Sequence, residues 1–303
     1  MSVPVGKLVY TQWLNERGGI EADLTVTREA ANKYMVVTAA ATQVRDFQWL
    51  KDHIPAGAKA TLTDVTSGMA VLSIMGPNSR ALLQSLTHTD MSNEAFPFGT
   101  SQIIDLGYAR VRASRVTFVG ELGWELYIAT EYATGVFDAI VAAGAPFGLK
   151  HAGYHALNSL RMEKGYRDYG HDIDNTDSPL EVGLGFTIDW DKDFVGRQGV
   201  TAVKESGPLM RRLAQVRILD PEPLMFHGEV VYRDGVPVGY IRAASYGHTL
   251  GGAVGLAMIE TGEPVTPDVI NSGTWEVDVA GVRYPAVASL RPMYDPDNAR
   301  IKA

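Results

Sequence analysis

The most regular pattern in the chain is IEADLTVT at residues 20–27, where apolar and polar residues alternate one by one. The apolar residues from Ile20 to Val26 would share one face of a strand, and the polar residues from Glu21 to Thr27 would share the other. The turn-forming sequence NERGG leads into this strand, since glycine adopts positive φ at little cost. Two further strands are predicted over KLVYTQWL (7–14) and KYMVVTAA (33–40).

Helical spacing follows in TQVRDFQWLKDHI, where Val44, Phe47, Leu50 and Ile54 predict one apolar helix face. Another helix is predicted from Pro77, whose missing N–H is tolerated at the first helical position. Further strands are predicted over 60–66, 69–76, 101–107, 109–120 and 123–129, and a further helix over 132–144. Antiparallel strands with helices on one face indicate an α+β fold.

Beyond Pro208 the pattern changes to short strands separated by glycine turns. The pairs Asp234-Gly235 and Ala280-Gly281 are typical of tight hairpins. This part is predicted to form a separate all-β barrel. The expected domains are therefore 1–207, an α+β region of two intertwined subdomains, and 208–303, the barrel.

Composition narrows the function. The chain has 303 residues, a formal net charge of -8 and no cysteine. An acidic chain without a basic run is a poor partner for nucleic acid. The lack of cysteine excludes disulfides and thiolate chemistry and favours a cytoplasmic location. No apolar run approaches the roughly 20 residues that cross a bilayer, so no membrane partner is expected.

Asp23 is the first candidate for chemistry. It lies in the middle of a predicted strand, where aspartate is disfavoured. A carboxylate on the polar face of a strand is usually solvated, so both a solvated and a substrate-facing side chain are open.

Glu125 is the second candidate, within the strand segment of FVGELGWELYI. It is either a surface glutamate or a carboxylate that accepts paired N–H donors from a planar heterocycle. A third candidate region is the long polar loop after the predicted helix ALNSLRMEKG, which is either a pocket rim or a structural loop. The seven histidines lack metal-ligand spacing, and no metal site is expected.

Taken in order, YTQWLNERGGIEADLTVT, VGELGWELYI, SLRMEKGYRDYGHDID and SPLEVGLGFTIDWDKDFVGR resemble the aminomethyltransferase family, the T-protein of the glycine cleavage system. The likeness is greatest to the folate-binding C-terminal half of dimethylglycine and sarcosine dehydrogenases. SYGHTLGGAVGLAMI and RPMYDP resemble the family's terminal barrel. The resemblance implies a three-lobed ring around tetrahydrofolate, and transfer of a one-carbon unit from an aminomethyl or iminium donor.

By this resemblance Asp23 matches the catalytic aspartate and Glu125 the glutamate that holds the pterin's amino-pyrimidine edge. Tyr10 matches a tyrosine that lines the folate site, and Tyr294 in RPMYDP is assigned to the same site. Phe118 stands where the family usually has tyrosine, so stacking is retained and a hydroxyl is lost.

The chain also departs from the family pattern. An arginine and an aspartate usually precede SLR, and here Leu157 and Asn158 occupy those positions. His155 or Arg161 would then have to assist folate binding. The family also has a substantial segment before VPVGKLVY, whose absence predicts a truncated, naturally short or split protein.

The resemblance covers no FAD-binding portion. The expected function is therefore formation of 5,10-methylenetetrahydrofolate from a small methylated-amine-derived donor, together with a flavin dehydrogenase partner. The alternatives are a non-catalytic folate-binding module and a folate-dependent demethylase of another methylated substrate.

Overall fold

The computed structural model describes residues 2–303 and divides into two compact units. The first unit contains the segments up to Tyr10, Leu24–His151 and Asn298–Ala303. The second contains Thr11–Asp23 and Ala152–Asp297. The expected α+β fold with antiparallel sheets and a C-terminal barrel is confirmed.

Three strands open the chain: β1 (Leu8–Leu14), β2 (Ile20–Ala30) and β3 (Lys33–Val37) form a sheet in that order. The turn between β1 and β2 is stabilised by Asn15, whose Oδ1 accepts hydrogen bonds from the backbone N–H groups of Arg17 and Gly19, both at 3.0 Å. Gly18 has φ +83°, which an L side chain rarely adopts. The alternation in β2 holds as far as Leu24 and then breaks, because Thr27 is buried and Val26 only half-buried.

Helix α1 (Gln43–Asp52) forms near the predicted bounds, and Phe47, Leu50 and Ile54 of its predicted apolar face are half-buried. Val44 is 83% exposed, whereas Asp46 is the buried residue of the helix. The Asp46 carboxylate accepts hydrogen bonds from the hydroxyls of Thr38 and Thr42 and pairs with Arg45. A polar network therefore anchors this helix.

A four-stranded sheet forms the core of the first unit. It contains β4 (Met69–Met75), β5 (Ser101–Leu106), β6 (Ala109–Ser114) and β7 (Gly123–Ala129), in the order β4-β7-β6-β5. Trp124, Leu126 and Ile128 on one face of β7 are fully buried with residues of α2 (Ser79–Gln84) and α3 (Ala133–Gly144). The opposite face of β7 carries Glu125.

Three sequence expectations in this unit are wrong in detail. Residues 60–65 are irregular rather than a strand, because this segment is mostly exposed and pairs with no strand of the described chain. Strand β6 ends at Ser114 instead of continuing to Gly120, since residues 115–122 leave the ladder before β7. Pro77 precedes the cap Asn78 and is not the first residue of α2.

The second unit contains α4 (Tyr154–Glu163), α5 (Arg197–Glu205) and a closed six-stranded barrel. The barrel strands are β8 (Arg211–Ile218), β9 (Val230–Arg233), β10 (Val236–Gly247), β11 (Gly252–Glu260), β12 (Trp275–Val279) and β13 (Val282–Ser289), with a short helix α6 (Pro267–Ile270) before β12. Their order around the barrel is β10-β11-β8-β13-β12-β9. The two expected hairpin pairs adopt positive φ at both residues: 52° and 78° at Asp234-Gly235, and 53° and 86° at Ala280-Gly281.

Candidate functional site

Asp23 lies in the middle of β2 and is half-buried, between the fully buried Ala22 and Leu24. Its Oδ1 accepts a hydrogen bond of 2.7 Å from the side-chain amide of Gln12 on β1. The Gln12 carbonyl oxygen in turn lies 2.5 Å from the hydroxyl of Thr187. The carboxylate is therefore held by a specific donor and is not merely solvated.

The beginning of β2 is anchored by the loop before Thr187. The backbone N–H of Ile20 donates to the carbonyl oxygen of Asp177 at 3.0 Å. The Asn15 amide donates to Glu21 Oε1 at 2.9 Å and to the carbonyl oxygen of Asn175 at 3.2 Å. These contacts, all within the second unit, fix the strand that carries Asp23.

Glu125 lies in the central strand β7 and is opposite Ser73 of β4 and Ser114 of β6. Since opposite residues of antiparallel strands share a face, these side chains lie on the polar side of the sheet. Glu125 Oε2 accepts a hydrogen bond of 2.5 Å from the hydroxyl of Tyr127, two residues along the same strand. A half-buried carboxylate with one donor on its own strand can still accept further N–H groups.

Burial raises the pKa of Glu125, and the hydrogen bond from Tyr127 opposes that rise. Burial and the neighbouring Glu125 also raise the pKa of Tyr127, which keeps the phenol protonated and donating. Burial therefore makes the ionised form of Glu125 less favourable than that of an exposed glutamate, unless other donors compensate its charge.

Tyr10 on β1 and Phe118 between β6 and β7 are both half-buried aromatic residues of the first unit. Both belong to the same unit as Glu125.

Arg161 and His155 occupy α4 but have different surroundings. Arg161 is 1% exposed, and its guanidinium donates to Asn158 Oδ1 at 2.9 Å and pairs with the buried Asp172. His155 is exposed near the beginning of the helix. The two side chains are six residues apart, so they project from different sides of the helix and do not form a pair.

Tyr294 is half-buried in the segment after β13, where its backbone N–H donates to the carbonyl oxygen of Glu163 at 3.4 Å. The neighbouring Asp295 pairs with the fully buried Lys164 at 3.0 Å. This segment is therefore attached to the end of α4 within the second unit.

Sequence reasoning missed Gln12, Tyr127 and Thr187. The sequence could have indicated that Tyr127 lies beside Glu125, because residues at i and i+2 on a strand share a face. Gln12 carries only a weak signal as a polar residue in β1. Thr187 is 175 positions from Gln12 and had no local signal.

No cluster of histidine and acidic residues among residues 2–303 could hold a metal ion. Within the same residues, no helix combines the length and the apolar character needed to span a bilayer.

Comparison with known proteins covers nearly the whole chain. Residues 1–192 match the GCVT N-terminal domain, and residues 211–295 match the glycine cleavage T-protein C-terminal barrel domain. The chain is 43% identical over 304 residues to 4-methylaminobutanoate oxidase (formaldehyde-forming) of Paenarthrobacter nicotinovorans, which covers 100% of this chain and 36% of that protein. Human mitochondrial sarcosine dehydrogenase is 39% identical over 322 residues, covering 100% and 35%. The chain thus spans about a third of the length of these two relatives.

A third relative is matched over most of its own length. The aminomethyltransferase of Shouchella clausii is 34% identical over 287 residues, covering 94% of this chain and 76% of that protein. The fold matches the crystal structure of the glycine cleavage system aminomethyltransferase T of Bartonella henselae with a TM-score of 0.82 at 21% identity. This match covers 97% of this chain and 78% of that one.

Proposed function

The chain belongs to the aminomethyltransferase (glycine cleavage T-protein) family, and from that premise we propose that it is a tetrahydrofolate-dependent one-carbon transferase. The proposed product is 5,10-methylenetetrahydrofolate, and the proposed donor is a small aminomethyl or iminium compound. The observation that carries the proposal is Asp23, half-buried in β2 with its carboxylate oriented by Gln12.

The chemistry requires a fixed negative charge. An iminium donor carries a positive charge, which remains at the reacting atoms while the donor amine departs; a reduced folate would supply the nucleophilic nitrogen when bound. Asp23 would stabilise that charge and orient the reacting groups, since a preorganised carboxylate needs no reorganisation during the reaction. No covalent attachment to the protein is needed.

Glu125 fits the amino-pyrimidine edge of a pterin. Such an edge offers two parallel N–H donors, and a carboxylate accepts paired donors well. The half-buried Glu125 has a raised pKa and one donor on its own strand, Tyr127. Two additional N–H donors would compensate the buried negative charge, which supports Glu125 as the pterin-binding residue.

The remaining predicted site residues are proposed to contact the folate or to hold the segments around it. We propose that Tyr10, Phe118 and Tyr294 contact the folate through their rings. His155, being exposed, is free of packing constraints, whereas Arg161 would act by holding the loop through Asp172. The division into residues 1–207 and 208–303 stays a prediction.

A flavin-containing dehydrogenase is the proposed partner, because relatives of the chain are named as an oxidase and as sarcosine dehydrogenase. In those proteins the matching part is only about a third of the sequence. The cytoplasmic location stays a prediction from composition; several relatives are named as mitochondrial.

The direct test uses the purified full chain. Calorimetric titration with tetrahydrofolate should show saturable binding, and addition of formaldehyde should form methylenetetrahydrofolate faster than in the protein-free control. Binding without acceleration would instead indicate a folate-binding module. Acceleration seen only with another methylated donor would indicate a demethylase, and no binding at all would overturn the proposal.

Glu125→Gln should weaken tetrahydrofolate binding by about tenfold to a hundredfold at pH 8, because hydrogen bonds to a charged acceptor contribute about 1.5–3 kcal/mol. Binding requires the ionised carboxylate, so the affinity of the parent should fall as pH is lowered through the raised pKa of Glu125. The Gln variant should lack this pH dependence. The measurement is calorimetric affinity from pH 5 to pH 8.

The matched control is Glu131→Gln, an exposed glutamate just after β7. It should bind as the parent does at every pH. The stability of the protein should depend on pH in the opposite direction to the affinity. Burial raises the pKa of Glu125, so its contribution to stability is complete below the ordinary carboxyl pKa. That contribution is lost as pH rises through the raised pKa. An unchanged affinity in Glu125→Gln would exclude the pterin role.

Tyr127→Phe should raise the pKa of Glu125 further, because the Tyr127 hydroxyl is the donor that opposes the effect of burial. The pH at which tetrahydrofolate binding is half-maximal should then move upward by about one unit. Tyr132→Phe, an exposed tyrosine after the same strand, is the control. Identical binding curves in parent and Tyr127→Phe would show that the pair is not coupled to the ligand.

A further inference from the structure

We propose that Gln12 and Thr187 are positioning residues for Asp23, a role that rests on the proposed function of Asp23 itself. The structure assigns them a continuous path: the Thr187 hydroxyl to the Gln12 carbonyl oxygen at 2.5 Å, and the Gln12 amide to Asp23 Oδ1 at 2.7 Å. All three residues belong to the second unit.

The direction of the Gln12 amide follows from its two neighbours. A carboxylate without a proton can only accept, so the NH₂ group of Gln12 must face Asp23. The carbonyl oxygen then faces Thr187, whose hydroxyl can donate to it. Each end of the amide therefore has the partner it needs, and a flipped amide would oppose two oxygens at Asp23.

Thr187 is itself fixed. Its hydroxyl also lies 2.7 Å from the carbonyl oxygen of Leu184, at the end of the short 3₁₀ turn Gly185–Thr187. A hydroxyl has one proton, so it donates to one of these oxygens at a time. The 2.5 Å contact between the Thr187 hydroxyl and the Gln12 carbonyl oxygen requires a proton between the two oxygens, so the hydroxyl donates to Gln12. The Leu184 carbonyl oxygen already accepts the backbone N–H of Thr187 at 3.0 Å.

A glutamine suits this position better than a lysine or arginine. A cationic donor would orient the carboxylate but would also cancel much of its charge. The neutral amide of Gln12 orients Asp23 and leaves the negative charge available to a cationic reacting group. The terminal torsion of aspartate is broad, and the hydrogen bond from Gln12 restricts it. Small losses of alignment of this kind reduce rates substantially.

The first experiment reads Asp23 directly and needs no activity. The full chain is labelled with ¹³C at aspartate carboxyls, and the Asp23 signal is assigned from its loss in Asp23→Asn. Removing a donor to the ionised form should raise the titration midpoint of Asp23 by about one pH unit in Gln12→Leu. Thr187→Val should raise it by less.

The chain offers a matched control on α1. Gln48 donates to Asp52 Oδ1 at 2.6 Å, the same pair of groups on an exposed helix surface. Gln48→Leu should leave the Asp23 signal unchanged, because Gln48 donates to a different carboxylate. An Asp23 midpoint in Gln12→Leu equal to that of the parent would overturn the positioning role.

The second experiment follows transfer with tetrahydrofolate and formaldehyde. Gln12→Leu should lower kcat about tenfold with little change in KM for folate, since only alignment in the transition state is lost. Thr187→Val should lower kcat by about threefold, and Thr187→Ser, which retains the hydroxyl, should restore it. A loss confined to KM, or equal loss in Thr187→Ser, would contradict the inference.

The two arms separate the failure of this inference from that of the proposed function. If the parent neither binds nor transfers, the proposed function fails while the titration still decides whether Gln12 controls Asp23. If the parent is active and Gln12→Leu matches it in rate and titration, the positioning role fails and the function stands.

Discussion

Asp23→Asn should lower one-carbon transfer by about a hundredfold to a thousandfold, the range seen when one preorganised electrostatic group is removed from an active site. Asparagine is nearly isosteric with aspartate. Its carbonyl oxygen can still accept the 2.7 Å hydrogen bond from Gln12, so the local shape is retained while the charge is lost. Because Glu125 is the proposed folate-binding residue, tetrahydrofolate affinity should change by less than about threefold.

The measurement is the initial rate of methylenetetrahydrofolate formation at saturating folate, with calorimetric affinity beside it. Asp52→Asn is the matched control, since Asp52 also accepts a hydrogen bond from a glutamine, Gln48, at 2.6 Å but on an exposed helix. That variant should transfer at the parental rate. If Asp23→Asn also does so, Asp23 carries no charge-stabilising role and the catalytic proposal is wrong.

Local signals predicted much of this fold. The hairpins at Asp234-Gly235 and Ala280-Gly281 are predicted correctly, because a two-residue turn depends mainly on the two residues that form it. Both residues of each turn adopt positive φ. Strand β7 was also predicted correctly. The barrel as a whole was expected from the density of such turns, and it is closed as predicted.

Periodicity failed where burial depends on distant neighbours. In β2 the predicted alternation holds for Ile20, Ala22 and Leu24 and then ends, because Thr27 is buried whereas Val26 is only half-buried. In α1 the spacing of Val44 and its apolar companions was sound as a pattern. The buried side chain is nevertheless Asp46, whose charge is satisfied by two threonines and an arginine.

In the candidate site, too, local signals are predictable from the sequence and long-range contacts are not. The sequence identified Asp23 and Glu125 through their strands and through the family resemblance. It did not identify the groups that determine how these carboxylates behave: Tyr127, Gln12 and Thr187. The partner of Gln12 comes from a turn far along the chain, and such contacts exist only after folding brings the segments together.

The loop before Thr187 is held by a buried carboxylate, Asp177, which is fully shielded from solvent. Its oxygens pair with Arg211 of β8 at 3.0 Å and with Arg242 of β10 at 2.5 Å. Asp177 Oδ2 also accepts the backbone N–H of Asp174 at 3.0 Å. The same residue's carbonyl oxygen anchors Ile20 at the beginning of β2, so this ion-pair network links the barrel to the strand of Asp23.

Asp177→Ala should therefore destabilise the second unit by about 3–5 kcal/mol, because it leaves Arg242 and Arg211 partly buried without their shared partner. The melting temperature should fall by on the order of 10 °C, and the Ile20 amide should exchange with solvent faster.

The control is Asp297→Ala, which removes a partner from the exposed Arg291–Asp297 pair of the same unit. It should change the melting temperature by a few degrees at most. The double variant Asp177→Leu with Arg242→Met should recover part of the lost stability, since an apolar pair needs no buried counter-charge. Equal melting temperatures for Asp177→Ala and Asp297→Ala would show that Asp177 does not stabilise the strand that carries Asp23.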